Sequence, residues 1–191
     1  MPRTIPLIRA ANVLPLVSWL EKNRIPSPDY LEAADLAYWF TLSPIDPIPT
    51  INAIQLLGSM AEVHGPDIGA QIVNDASLIE LGYIGAVALG ARTPFEALQR
   101  IQLAIPMHSS HESIKITSKS ESVSVVEYLK FNVEPAELHA IHVLFSSLIS
   151  LNNVTPADVY FGRDQAILEQ RERIKRKTIE ARRLHHSQRA A

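Results

Sequence analysis

The stretch that most constrains this chain is Thr93-Pro94-Phe95-Glu96. It reads as a helix start. The Thr hydroxyl can accept the N–H three residues on, and the Glu carboxylate can reach back to the cap's own N–H. Pro94 suits the first helical position, where its missing donor costs nothing. Ser77-Leu78-Ile79-Glu80 repeats the pattern upstream, and Gly90 lies between the two, where a helix end calls for a left-handed residue. The expectation is a helical hairpin over 78–89 and 94–105. The first helix, LIELGYIGAVAL, is apolar nearly all round and should be buried. The second, PFEALQRIQLAI, places Phe95, Leu98, Ile101, Ala104 and Ile105 on one face.

Around this hairpin the apolar spacing sorts the chain. Ala10, Ala11, Val13, Leu14, Val17 and Leu20 form a helical stripe over 7–22, with Pro15 inside it, so that helix is kinked or begins late. Ser27-Pro28-Asp29 opens a short helix to about Ala34. The three prolines of 41–49 make loop. Thr50 is expected to cap a helix that ends at Gly65, and a short helical turn follows at 67–73. After Ile105 the period changes. Ile114 and Ile116 alternate with Lys115 and Thr117, Val123 and Val125 follow, and SKSES lies between, which predicts a β-hairpin. Residues 136–150 return to helical spacing, with Leu138, Ile141, Leu144, Phe145 and Leu148 toward the core. Residues 155–162 are a strand or a helical turn, and 163–191 a charged helix. The predicted class is α+β, mainly helical, with a small antiparallel β-hairpin sheet and a C-terminal basic helix.

Charge separates two parts. Residues 163–191 carry nine Lys/Arg and four Asp/Glu, a net of +5, whereas 1–162 are net −7. The expected division is 1–150 as the globular domain and 151–191 as a basic helical tail. The chain has no Cys, which excludes a disulfide framework and thiolate chemistry and fits a reducing cytoplasm. No apolar run reaches the roughly 18 residues of a membrane span. A signal peptide is not expected, because Arg9 and Pro15 interrupt the apolar start.

Few residues look chemical. His108 and His111, and His139 and His142, are spaced i, i+3, as metal ligands can be. No acid or further His stands at a recognised spacing, so the expectation is half-buried or surface histidines and no metal or cofactor. The seven glycines form no phosphate loop, and Gly82 and Gly85 are expected to mark close packing within a helix. No serine sits in a nucleophile elbow, and the chain is expected not to be an enzyme. Glu80 and Tyr83, with Glu96, are the candidates for a ligand pocket beside the hairpin; otherwise both glutamates cap helices and Tyr83 is core. In the tail, Arg173, Lys175, Arg176, Lys177, Arg182 and Arg183 could contact phosphates. Interleaved acids such as Glu169, Glu172 and Glu180 equally suit a solvated helix.

Three segments carry a resemblance: IPLIRAANVLPLVSWLEKNRIP, IPTINAIQLLGSMAEVHGPDIGAQI and ASLIELGYIGAVALGARTPFEALQRIQL. Over about 4–150 the chain resembles the N-terminal effector domain, of the arabinose-binding-like kind, of AraC-type transcription regulators. The likeness is most specific at Leu81-Gly82-Tyr83 followed by Thr93-Pro94-Phe95-Glu96-Ala97-Leu98. It implies a bacterial, cytoplasmic sensor that binds a small-molecule effector and forms a homodimer, or a heterodimer with an intact regulator. Beyond it, LNNVTPADVYFGR at 151–163 and ERIKRKTIEARRLHH resemble the C-terminal end of insertion-sequence transposases of the DDE integrase type. The catalytic acids of such enzymes lie upstream of this tail, so no transposase activity carries over. Together the resemblances imply a truncated regulator and a gene fusion with its junction near 150, without its own helix-turn-helix and without sequence-specific DNA binding. The alternative expectation is non-specific nucleic-acid binding through the basic C-terminal helix.

Overall fold

The computed structural model describes residues 4–74, 76–119 and 122–150. The expected tail helix, the phosphate-contact candidates Arg173, Lys175, Arg176, Lys177, Arg182 and Arg183, and the strand-or-turn at 155–162 lie outside the described residues. The class is α+β and mainly helical, with two small antiparallel two-strand sheets. Among the described residues no helix is long and apolar enough to cross a membrane.

The chain enters through β1 (Leu7–Arg9) and a 3₁₀ turn at Ala10–Val13, and α1 (Leu14–Lys22) begins only there. The stripe that predicts a helix from residue 7 is thus cut at Pro15, which takes the first turn of α1. Upstream, Ala10 N–H donates to the Asp46 carbonyl at 2.8 Å and Ala11 N–H to that of Pro44 at 3.0 Å, in place of helical bonds. α2 is Ser27–Ala33. The stretch 41–49 is not all loop, because Pro47–Pro49 form β2, antiparallel to β1 with Ile8 opposite Ile48. Prolines are tolerated in so short an edge strand, and Ile48 between them is fully buried.

α3 (Thr50–His64) ends at Gly65, φ +99°, as its spacing predicts. Thr50 does not cap it by its side chain; Pro49 holds the cap position, and the Thr50 hydroxyl is buried without a partner. α4 is Ile68–Ile72. The first arm of the expected hairpin is two helices, α5 (Ser77–Glu80) and α6 (Tyr83–Leu89). Gly82, at φ +61° and ψ −122°, breaks it, in a conformation open in practice to glycine alone. The break folds α6 back against α5, and a Cβ on Gly85 would fall on the Leu78 carbonyl. Gly85 thus marks close packing as expected, whereas Gly82 marks a turn. The break also turns Ile79 and Tyr83 outward, each about half exposed, so this arm is not buried all round. Ser77 does not form a capping box: its hydroxyl accepts the Asn74 N–H at 2.9 Å, and Glu80 N–H bonds to the Ala76 carbonyl. Gly90 has φ −72°, right-handed and not left-handed.

α7 (Pro94–His108) opens as expected, with Thr93 Oγ1 accepting from Glu96 N–H at 3.1 Å. Glu96 reaches one residue further back than predicted, to Arg92 N–H at 2.9 Å, and pairs with Arg100 at 2.6 Å. The Arg92 N–H, and then the Arg100 charge, hold the Glu96 carboxyl below its ordinary pKa. The helix runs three residues past Ile105, because Pro106 near its end forfeits only one backbone bond.

β3 (Glu112–Lys119) and β4 (Ser122–Leu129) form the predicted hairpin, with Ile116 opposite Val125 and Ile114 opposite Glu127. α8 (Pro135–Ser150) then closes the fold. There are two cores. The first gathers α1 to α4 around Leu20, Leu56, Met60 and Ile72, with Ala140, Ile141 and Leu144 of α8. The second gathers α5 to α7 and the hairpin around Leu81, Ile84, Ile105 and Ile114, with Phe145 and Leu148. α8 therefore serves both, its first half in one and its second half in the other.

Candidate functional site

A cavity of about 130 Å³ lies in the second core, between α5, α6, α7 and the second half of α8. Its apolar wall includes Leu78, Leu81, Ile84, Ala88, Leu98 and Phe145. Along α7 the wall runs from Ala97 through Ile101 and Ile105 to His108, a span of about 16 Å at helical rise. The cavity stays open because the residues facing it from α6 and α7 include the small Ala88 and Ala97, while the break at Gly82 sets α5 off as a separate wall.

One end is polar, formed by Asn12, His108 and Glu112. Asn12 leaves the 3₁₀ turn before α1; His108 ends α7; Glu112 begins β3. Pairings distant in the chain, most of them about a hundred residues apart, hold this end together. Ile8 bridges to Ser109, Ser110 N–H donates to the Leu7 carbonyl at 2.9 Å, and Arg9 donates to the carbonyls of Met107 and Ile45 at 3.1 and 2.6 Å. Asn12 Nδ2 donates to the Arg9 carbonyl at 3.1 Å and lies 2.6 Å from His108 Nε2. With the amide nitrogen so oriented, Nε2 is the acceptor and the neutral ring carries its proton on Nδ1. Burial, and secondarily the Arg9 charge, push His108 down to about 4. This imidazole is neutral at physiological pH.

Behind Glu112 stands Glu127. Glu112 pairs with Leu129 across the hairpin, so Glu127 is its diagonal neighbour on the same face, within reach of a long side chain. Placed this close, the two carboxyls are coupled, and together they hold a proton that separate carboxylates would have lost. Burial, together with the neighbouring Glu112 charge, pushes Glu127 up to about 8. Burial also raises Glu112, against the lowering influence of the nearby Ser109 hydroxyl and Glu127. Glu127 Oε2 is buried without a partner. Among the described residues neither acid forms a salt bridge.

The sequence candidates fall elsewhere. Neither Glu80 nor Tyr83 is on the wall of this cavity. Glu80 is half-buried, with Oε2 unpartnered, and Tyr83 is exposed, its hydroxyl 3.7 Å from Met107 Sδ. The two histidine pairs are not brought together. His111 meets Thr4 and Ser110 at 3.0 and 2.6 Å, and the exposed His139 lies 3.8 Å from Asp67. Among the described residues no group of three or more His, Asp or Glu could hold a metal. Sequence reasoning missed Glu112 and Glu127. Their signal was parity: Glu112 shares a face with Ile114 and Ile116, and Glu127 with Val125 and Leu129.

The site is therefore a cavity with an apolar body and a polar end of a neutral imidazole, an amide and a proton-sharing acid pair. No protein-family model matches the chain, and no curated protein matches it significantly.

Proposed function

We propose that residues 1–150 form the small-molecule sensing module of a transcription regulator of the AraC type, which passes on ligand occupancy through dimerisation. The observation that supports this reading is the cavity of about 130 Å³, lined by Leu78, Ile84, Leu98 and Phe145 and closed at one end by Asn12, His108 and Glu112. Binding sites for small molecules combine such an apolar lining with a few convergent polar groups. The order of the elements around it agrees with what the sequence resemblance implies: a helical hairpin, a β-hairpin, then a helix. The module binds and does not catalyse; it works as a homodimer, or paired with an intact regulator.

A thermal-shift screen of the full chain against small metabolites tests the reading. A ligand at a hundred times its Kd adds about 2.7 kcal/mol, which raises the Tm by roughly 5–10 °C in a domain of this size. Ala88→Leu, which fills the cavity, should abolish that rise. A screen in which no compound moves the transition refutes the reading. Light scattering after gel filtration checks the dimer; a strict monomer at high concentration, with and without ligand, removes that part.

A further inference from the structure

The cavity's polar end raises a question of charge. The half-buried carboxyls of Glu112 and Glu127 hold one proton between them, which leaves one negative charge, and no described cation pairs with either. Desolvated acids without a counterion destabilise a fold. Arg9, whose charge acts on His108, is committed to the carbonyls of Met107 and Ile45. Among the described residues no Lys or Arg stands on the cavity wall, and Glu112 is the wall's acid. A carboxylate ligand would bring a third acid to this end with nothing to neutralise it. A cationic ligand would supply the missing countercharge.

Size narrows the class. The volume of about 130 Å³ is close to the roughly 150 Å³ apolar cavity that holds one benzene. The wall beyond Glu112 is aliphatic apart from Phe145 and the Ser77 hydroxyl, so the body of the ligand carries little that needs hydrogen bonds.

We propose that the cavity takes a compact apolar primary amine, about one ring in size, with its ammonium group seated against the Glu112 carboxyl beside Asn12 and His108. Glu127 stands behind Glu112 and, holding its proton, leaves the negative charge of the pair on Glu112. The neutral His108 ring does not repel the ammonium. The proposal rests on the reading of this cavity as a ligand site and adds the chemistry of the ligand.

Three probes that share one body test it: phenethylamine, 2-phenylethanol and phenylacetate, titrated calorimetrically into the full chain and into Glu112→Gln. The amine is expected to bind about tenfold or more tighter than the alcohol, the margin of a charge-assisted over a neutral hydrogen bond, with phenylacetate weakest. Glu112→Gln keeps the size of the side chain and removes a buried acid, so it should fold. It is expected to erase the preference for the amine while retaining the alcohol. Alcohol or carboxylate binding as tightly as the amine overturns the amine class and leaves the cavity reading standing. So does an amine preference that survives in Glu112→Gln. If none of the three binds, the amine proposal is overturned, and the metabolite screen decides the cavity reading separately.

Discussion

Replacing Glu127 by Gln tests the buried acid pair most directly. Its carboxyl is pushed up from 4.5 to about 8 in the folded protein. The folded state therefore holds this proton more tightly than the unfolded chain does. The sign follows: stability is fully present below pH 4.5 and is lost as pH rises through about 8. Above pH 6.5 the native His108 imidazole is neutral and its unfolded counterpart loses only its remaining half proton, which offsets about 0.4 kcal/mol of the loss below. From there to pH 8 the native carboxyl is protonated and its unfolded counterpart ionised, over one and a half units. At about 1.4 kcal/mol per unit the loss comes to about 2 kcal/mol, with Glu112 acting in the same direction. Urea unfolding followed by far-ultraviolet circular dichroism at about pH 6.5 and pH 8.5 reads this as a midpoint roughly 1 M lower at the higher pH, given an m value near 2 kcal/mol/M. Glu127→Gln should retain less than half of that shift, since the amide cannot ionise. A wild-type midpoint that does not move over this range, or a variant with the same slope as wild type, would refute the burial argument.

Three further outcomes follow from single residues. His108, lowered from 6.5 to about 4, contributes stability that is present above pH 6.5 and lost as pH falls through 4, a total of about 3 kcal/mol. Ring-proton NMR should show one imidazole still neutral at about pH 5, and titration of every histidine near its ordinary value would contradict this. Gly85→Ala drives a methyl onto the Leu78 carbonyl and must separate α5 from α6. The expected loss is about 1–3 kcal/mol in urea unfolding, and a change below about 0.5 kcal/mol would mean that the two helices are not so closely packed. Thr93→Ala removes the acceptor for Glu96 N–H, at an expected cost of about 1 kcal/mol; an unchanged midpoint would remove Thr93 as a working cap.

The parts of the fold that were legible are those in which neighbours in sequence settle the structure. α3, α7, α8 and the β3–β4 hairpin each show their own period, and Gly65 and Thr93 mark an end and a start. Pro15 signalled that the first helix is kinked or begins late, but not that Leu7–Arg9 would pair with Pro47–Pro49, which is set by contacts about forty residues apart. The break at Gly82 is invisible to periodicity, because Leu78, Leu81, Ile84 and Ala88 keep helical spacing straight through it. The site was harder still. Asn12, His108 and Glu112 come from three places in the chain, and what draws them together is the bonding of Leu7 to Arg9 with Met107 to Ser110. Read one at a time, Asn12 carries no signal, and His108 stands out only through its i, i+3 spacing to His111, which says nothing of Asn12 or Glu112. Glu112 and Glu127 become conspicuous once the register assigns both to the covered face of the hairpin.

A single rod, α8, is stitched into two hydrophobic compartments. Either compartment can loosen only by releasing its grip on a beam that the other also holds, so melting should register as one sharp event. A guest lodged beside Phe145 and Leu148 is then felt along the same beam at Ala140 and Ile141, and amide exchange in α1 to α4 should slow when the distant chamber fills.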